Sequence, residues 1–505
     1  MWDRNVQPRL LNDASVPQSG TASQQSQQQS GATQSIWSLY EKGEKIGEGT
    51  YGWVYHARSK ENGRRYAIKQ FKQGREGDGV SPTAIREIML LRELKHDNVV
   101  SLEGVHLSRG DPQCLWLSFD YAEHDLYDMI RFHRDMRDNV RSNPHGLMPH
   151  HIIRSVMYQL LNGLSYLHQN WVIHRDLKPS NVLVMGYDEH TPAEAAGRVR
   201  IGDFGLARLF QSPLRPLSDN GVVVTIWYRA PELLLGSRHY TRAVDVWAAG
   251  CIFAELCGLR PLFQGSERKA AGAPFQADQA DRIFRVLGHP HPKAWPHLQN
   301  LHHWHDNTDS VRVKQPHYPS APPPGPGDSA GPAHIKWAAQ QLEAAILEAM
   351  RAHLPSWAQG GIPSECRPPP EAYNLLARML AYDPAQRISA EEALGHEYFT
   401  RGPRPSANVF APPGAKEPAI RYPKRTVGVA TAHHQGGVHA GQGTDAAGGR
   451  GGPGGFGSGR SGMSGIAGSG PGRPGGAGNA GAGGAAAAPG AAARKRKAEP
   501  LPGFR

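Results

Sequence analysis

The chain has 505 residues, 39% of them apolar, which is enough to bury the core of one large two-lobed domain or of several small ones. Its net charge of +11 comes from scattered basic residues with no nucleic-acid motif beside them, so we read a solvated basic surface and expect no direct nucleic-acid binding. Four cysteines (Cys114, Cys251, Cys257, Cys366) without a CxxC pair exclude a disulfide framework and a cysteine metal site, and suit a reducing intracellular compartment.

Met1 to Asn5 lack a charged region followed by an apolar one, and no apolar run approaches a membrane span, so neither secretion nor a membrane partner is expected. Residues 1–36 are rich in Gln, Ser, Thr and Gly; they carry too few large apolar side chains to offset the entropy of ordering and read as a disordered arm. The first chemical signal follows at Gly47-Glu48-Gly49-Thr50-Tyr51-Gly52-Trp53-Val54, between two strand-like segments. Glycines there let backbone amides approach phosphate oxygens, and Val54 offers an apolar surface to a purine. Alone the pattern is weak, because a tight hairpin or a dinucleotide fingerprint matches equally well. Tyr66-Ala67-Ile68-Lys69 on the next β-type run supplies a lysine for the α- and β-phosphates.

Ser81 and Pro82 read as the N-cap and first turn of a helix running to about Leu94. Ile85, Ile88 and Met89 form its apolar stripe, leaving Glu87 off the centre, where it can reach back to Lys69. A second amphipathic helix, with Ile153, Val156, Met157, Leu160, Leu161, Leu164 and Leu167 at helical spacing, leads into His174-Arg175-Asp176-Leu177-Lys178-Pro179-Ser180-Asn181. Asp176 is suited to accept a proton from a substrate hydroxyl, Lys178 to neutralise a transferred phosphoryl group, and Asn181 to ligate magnesium. Asp203-Phe204-Gly205 supplies a second Mg²⁺ ligand in Asp203, and Ala230-Pro231-Glu232 closes the segment that follows. Each tripeptide is weak; the whole set in this chain order is jointly specific.

Residues 316–332, rich in Pro and Gly, read as a surface insertion. From 426 to 505 the chain is dominated by Gly and Ala broken by Pro, and is expected to be flexible. It carries the basic cluster Arg494 to Lys497, a candidate nuclear-import signal.

With these motifs in place, residues from about Trp37 to Arg425 resemble a cyclin-dependent kinase of the Mediator kinase module, cyclin-C-dependent and of the fungal type. Ser81 to Glu87 resemble the cyclin-contacting helix of cyclin-dependent kinases in general, and Phe119-Asp120-Tyr121-Ala122-Glu123-His124-Asp125-Leu126 the hinge of the Mediator branch. Asn170 to Ile173, Arg208 to Leu214 and Val222 to Arg229 are similar to the same branch. The resemblance implies an α+β, two-lobed protein kinase fold with disordered termini. Its β-rich N-lobe with one helix covers about 37–119, its hinge 120–122, its mainly α C-lobe 123–400, and a C-lobe extension 401–425. It implies ATP and Mg²⁺ as cofactors. The nucleotide would be held by Ile46, Gly47, Glu48, Gly49, Thr50, Tyr51, Gly52, Trp53, Val54, Ala67, Lys69, Phe119, Asp120 and Ala122. The catalytic set would be Asp176, Lys178, Lys69, Glu87 and Thr225. Asp245 would brace the catalytic loop and Arg387 would pair with Glu232.

In this family's pattern an activating threonine lies five positions before the residue matching Thr225; here Asn220 stands there. Arg86, Arg175 and Arg208 match the arginines that grip its phosphate, and Asp219, or an acidic group of a partner, is expected to replace it, with Ser218 phosphorylation as a rival. Lys178 after Asp176 points to Ser and Thr hydroxyls. The resemblance further implies a preference for Ser/Thr-Pro, the RNA polymerase II C-terminal repeat domain and transcription factors as substrates, a C-type cyclin and the other kinase-module subunits as partners, and a place in the nucleus. Two competing readings are another branch of cyclin-dependent kinase and a non-catalytic Mediator scaffold.

Overall fold

A computed structural model describes residues 35–425 apart from 50–51, 73–81, 109–113, 140, 142, 188–192, 211–224, 240, 267–275, 307–317, 323–330, 356–357, 359–360, 413 and 416–419. The Gly/Ala tail with its basic cluster, residues 1–34, Thr50, Tyr51, Ser81, Ser218, Asp219, Asn220 and most of the Pro-rich insertion therefore lie outside the described residues. Among the described residues no helix is long and apolar enough to cross a membrane.

Five antiparallel strands build the first lobe: β1 (Tyr40–Glu48), β2 (Gly52–Ser59), β3 (Arg65–Phe71), β4 (Leu102–Ser108) and β5 (Cys114–Asp120), in the order β1-β2-β3-β5-β4. Alternation along β3 puts Tyr66 and Ile68 on the outer face, where with Ala57 and Trp116 they form a small separate core. Ile36, 4% exposed, plugs that core, and the Trp37 ring packs edge-on at 5.3 Å from Trp116. The described chain thus starts at Ser35, and Ile36 belongs to the lobe rather than to the arm that was expected to include it.

Helix α1 (Pro82–Glu93) lies against this sheet, turned opposite to its apolar stripe. Ala84, Glu87, Leu90 and Leu91 are buried, whereas Ile85 and Met89 are 47% and 65% exposed. The ion pair that Glu87 makes with Lys69 draws the charged side inward and leaves the apolar one uncovered.

The second lobe starts with β6 (His124–Asp125), α2 (Leu126–Asp135) and α3 (His150–Gln169). All seven stripe residues of α3 are fully buried. Four short strands follow, β7 (Val172–Ile173), β8 (Val182–Val184), β9 (Val199–Ile201) and β10 (Arg208–Leu209), paired as β10-β7 and β6-β8-β9. Among the described residues, helices α4 (Pro231–Leu234), α5 (Ala243–Gly258), α6 (Ala277–Leu287), α7 (His302–Asp306), α8 (Pro332–Ala352), α9 (Pro370–Met379), α10 (Ala390–Leu394) and α11 (Glu397–Thr400) follow. Every residue of α5 is buried, as befits a helix apolar all round that runs through the centre of the lobe, packed by α3, α8 and α9.

The Pro-rich insertion is not purely a surface loop. Tyr318 is 6% exposed, donates its hydroxyl proton to Asp281 Oδ1 of α6 at 2.8 Å and stacks on His289, and Pro332 opens α8.

Candidate active site

Register brings the N-lobe residues together. Val54 of β2 and Leu117 of β5 flank Lys69 on β3, and Ala67 lies opposite Phe119. Lys69 Nζ donates to both oxygens of Glu87 at 2.8 Å and lies 3.5 Å from Asp203 Oδ1. Burial lowers the Lys69 pKa, but Glu87 and Asp203 outweigh it and hold the pKa above its ordinary value.

Asp203 occupies the left-handed region at φ 57°, a strained conformation for a residue with a Cβ. Its side chain is 47% exposed toward the cleft. Desolvation pushes the carboxyl up, and Lys69 followed by Lys178 reverse this to hold it below the usual carboxylate range. Phe204 is fully buried, its ring 5.1 Å from His174, whose Nε2–H donates to the Gly202 carbonyl at 2.8 Å.

Asp245, from the first turn of the buried α5, organises the loop that carries Asp176. It accepts from the backbone N–H of His174 at 2.8 Å and of Arg175 at 2.9 Å, and from His168 Nε2 at 3.0 Å. These bonds hold Arg175 at φ 73°, another left-handed non-glycine. Lys178 Nζ donates to Asp176 Oδ2 at 2.9 Å, and Asn181 Nδ2 donates to the same oxygen at 3.1 Å and to the Asp176 carbonyl at 2.7 Å. Asp176 Oδ1, also buried, accepts no hydrogen bond from the described residues. A buried carboxylate oxygen without a donor is costly unless a ligand supplies one, as a substrate hydroxyl would.

Because Asn181 uses its N–H₂ on Asp176, its side-chain oxygen remains an acceptor. β8 and β9 pair Val182 with Ile201, and Gly202 N–H donates to Asn181 O at 2.9 Å, so Asn181, just before β8, and Asp203, just after β9, stand at the same end of two paired strands. Two neighbouring oxygen donors fit a hard divalent cation that keeps most of its own water.

At the roof, Gly47 faces Val54, and a Cβ on Gly52 would collide with the Gln70 carbonyl; one on Gly49 would meet nothing, while the Gly49 N–H donates to the Gly52 carbonyl at 2.9 Å and its carbonyl accepts from Lys72 at 3.2 Å, closing the turn on itself. Glu48 points away to Lys45 and Lys72, both at 3.0 Å, which hold its carboxyl down at about 2. Ile46 and Trp53 are half-buried, while Phe119 and Ala122 are buried. Thr225 is half-buried ahead of the turn Ile226–Tyr228 and does not cap it through its side chain. Arg208 lies opposite Ile173, close in register to Arg175, and its guanidinium donates to the carbonyls of Leu206 and Ala207; Arg86 is half-buried on α1. Arg387 meets Glu232 in a two-pronged pair at 2.8 and 3.0 Å.

Sequence reasoning missed the ionic surround of the hinge. Asp120 accepts from Arg64, just ahead of β3, at 2.6 Å on one oxygen and from Arg200 of β9 at 2.8 Å on the other, so its carboxylate is engaged by the protein itself. Glu123 accepts from Arg65 at 2.7 Å and from the Arg425 backbone N–H at 3.0 Å. These partners lie 56 to 302 residues apart, so no local motif announces them.

Comparison with known proteins agrees with this geometry. Residues 40–399 match the protein kinase domain. Cyclin-dependent kinase E-1 of Arabidopsis thaliana is 51% identical over 384 residues, 76% of this chain and 71% of that protein. Cyclin-dependent kinase 8 of Drosophila melanogaster is 42% identical over 388 residues, 76% and 74% of the two chains. The serine/threonine-protein kinase SSN3 of Yarrowia lipolytica is 41% identical over 414 residues, 79% and 87%. The chain therefore belongs to the protein kinase family as an ATP-dependent, cyclin-dependent serine/threonine kinase of the cyclin-dependent kinase 8 and SSN3 type.

Proposed function

We propose that this kinase serves the Mediator kinase module in the nucleus, phosphorylating Ser/Thr-Pro sites in the RNA polymerase II C-terminal repeat domain and in transcription factors, with a C-type cyclin and the other module subunits as partners. The observation that carries the catalytic part is the convergence on one cleft of the Lys69–Glu87 pair, Asp203 and the Asp176–Lys178–Asn181 group. Bound Mg·ATP supplies the phosphoryl group. Lys69, kept charged by Glu87, holds the non-transferred phosphates, while Asn181 and Asp203 hold the metal. Asp176 Oδ1 receives the substrate hydroxyl and takes its proton as the oxygen attacks; Lys178, now on Oδ2, stabilises the charge that develops on the phosphoryl oxygens. The turn at Gly49 and its glycine neighbours covers the phosphates, and Ile46, Val54, Ala67, Phe119 and the Asp120 to Ala122 backbone receive the base. Asp219, or an acidic group from a partner, meets Arg86, Arg175 and Arg208 in place of a phosphothreonine. The exposed Ile85 and Met89 face of α1 is the surface offered to the cyclin.

The test compares the chain alone, the chain with a C-type cyclin, and that complex carrying Asp176→Ala, for ³²P transfer to a polymerase-tail repeat peptide. Transfer should need the cyclin and should fall by about 10²–10⁴-fold without Asp176. An assembled complex that binds ATP and transfers nothing would overturn the catalytic reading in favour of a scaffold.

A further inference from the structure

The last described stretch of the chain returns to the hinge from the far side of the second lobe. Beyond α11, side chains of α3 grip its backbone: Arg154 donates to the carbonyls of Arg401 and Pro403 at 2.9 and 2.8 Å, and Gln159 to those of Ser406 and Ala407 at 3.1 and 2.9 Å. Val409 N–H then donates to Gly197 O at 3.1 Å, just ahead of β9. Residues 420–425 pack on α2, where the Tyr422 ring lies 5.1 Å from that of Phe132 and its hydroxyl 2.8 Å from His133 Nε2. Bonds at so many points make this extension a built part of the lobe.

Arg425 is where the path arrives. Its guanidinium donates to Asp125 at 2.7 Å and to Asp128 at 3.1 Å, and its backbone N–H to Glu123 Oε1 at 3.0 Å. Glu123 Oε2 accepts from Arg65 of β3 at 2.7 Å, so one carboxylate ties the C-terminal extension to the first lobe across the hinge. Asp125 Oδ1 meanwhile caps α2 by accepting from Asp128 N–H at 2.9 Å, and Asp125 pairs with Leu183, two residues past Asn181 on the cleft floor. Three carboxylates thus gather where the hinge enters the second lobe, next to a cleft that must receive a polyanion. Burial, then Asp128, push the Asp125 carboxyl up to about 7 while Arg425 opposes them.

We propose that Arg425 is a positioning residue for nucleotide binding: through Asp125, Asp128 and Glu123 it fixes the segment following the hinge, and through Glu123–Arg65 the closure of the two lobes. This rests on the kinase reading above and extends the nucleotide site to a residue 300 positions from the one it clamps. Without Arg425, Asp125 and Asp128 face each other with no cation between them. Losing that bridge would push the buried Asp125 carboxyl further up, loosen the start of α2 and weaken the hold of the extension on Glu123.

The experiment uses the full chain with its cyclin, as wild type, Arg425→Ala, Arg425→Lys, Asp125→Asn and the Asp125→Asn/Arg425→Ala pair. Mg·ADP affinity is measured by calorimetry, KM for ATP and for peptide and kcat by ³²P transfer, and Tm by melting. Arg425→Ala should weaken Mg·ADP and raise KM for ATP about tenfold, with peptide KM and kcat within about twofold. Arg425→Lys keeps the charge but loses the fork, and should fold and give about a threefold loss. The double variant should lose less than the sum of its singles. Lower Tm with unchanged Mg·ADP affinity and KM for ATP would make the extension purely structural, and equal losses in kcat and both KM values would likewise overturn the proposal. Because Mg·ADP binding is read directly, a complex with Arg425-dependent binding but no transfer would sink the catalytic reading and leave this one standing.

Discussion

Glu87 sets the electrostatics of the cleft. It is 2% exposed, and its two oxygens both lie 2.8 Å from Lys69 Nζ, so it opposes the lowering of the Lys69 pKa that burial brings. Glu87→Gln keeps the shape and removes the charge. Lys69 is then left with Asp203, already 3.5 Å away, and is drawn toward the metal side of the cleft. We expect kcat to fall by about 10²–10³-fold in steady-state transfer assays of the cyclin complex, with calorimetry still showing Mg·ADP binding; an unchanged kcat would mean that Lys69 is positioned by Asp203 alone. The sequence exposes this much of the site because its parts are written in short runs: Asp176, Lys178 and Asn181 lie within six residues, and Asp203 heads a tripeptide. The hinge clamps had no such signature. Arg64, Arg200 and Arg425 look like ordinary surface cations until the fold brings carboxylates to them.

Helix α1 shows where periodicity misleads. An apolar stripe is normally the buried side of a helix, and Ile85, Ile88 and Met89 follow that spacing, yet only Ile88 is partly covered. Periodicity reports which side shuns water, without saying whether the cover comes from the same chain. Here the single-chain core is satisfied by Ala84, Leu90 and Leu91, and Ile85 and Met89 stay exposed, which suits the proposed cyclin surface. Ile85→Asp with Met89→Asp should therefore cost about 3 kcal/mol of cyclin affinity, roughly a hundredfold. Stability of the isolated chain should stay within about 0.5 kcal/mol, as for ordinary surface changes. Calorimetry for the first and urea unfolding for the second decide it: intact cyclin binding would place the interface elsewhere. The helix α3, by contrast, was legible in full, because its apolar face is covered within the lobe.

Across the whole molecule, one guanidinium joins pieces that the chain keeps far apart. Arg387 uses all five of its donors: Nε on the Ala381 carbonyl, the two terminal nitrogens on Glu232 of α4, and one further bond from each of those to the carbonyls of Ala243 and Tyr382. It also lies 5.1 Å from the centre of the Trp247 ring, inside the buried α5. The end of the segment following Asp203 is thereby stapled to the lobe's central helix and to the loop before α10. Since both charges are buried, removing one strands the other, and Glu232→Ala should destabilise the fold by about 3–5 kcal/mol in urea unfolding. The Glu232→Ala/Arg387→Ala pair, with no stranded charge, should lose at least about 2 kcal/mol less than the sum of the single variants. The first lobe and the cleft lie outside this network, so Mg·ADP binding should survive at temperatures where the single variants remain folded, while transfer to peptide falls as the segment before α4 loses its anchor. Additive losses would mean that the carbonyl bonds alone hold Arg387 and that Glu232 is a bystander; parallel loss of Mg·ADP binding would mean that the two lobes do not keep their stabilities separate.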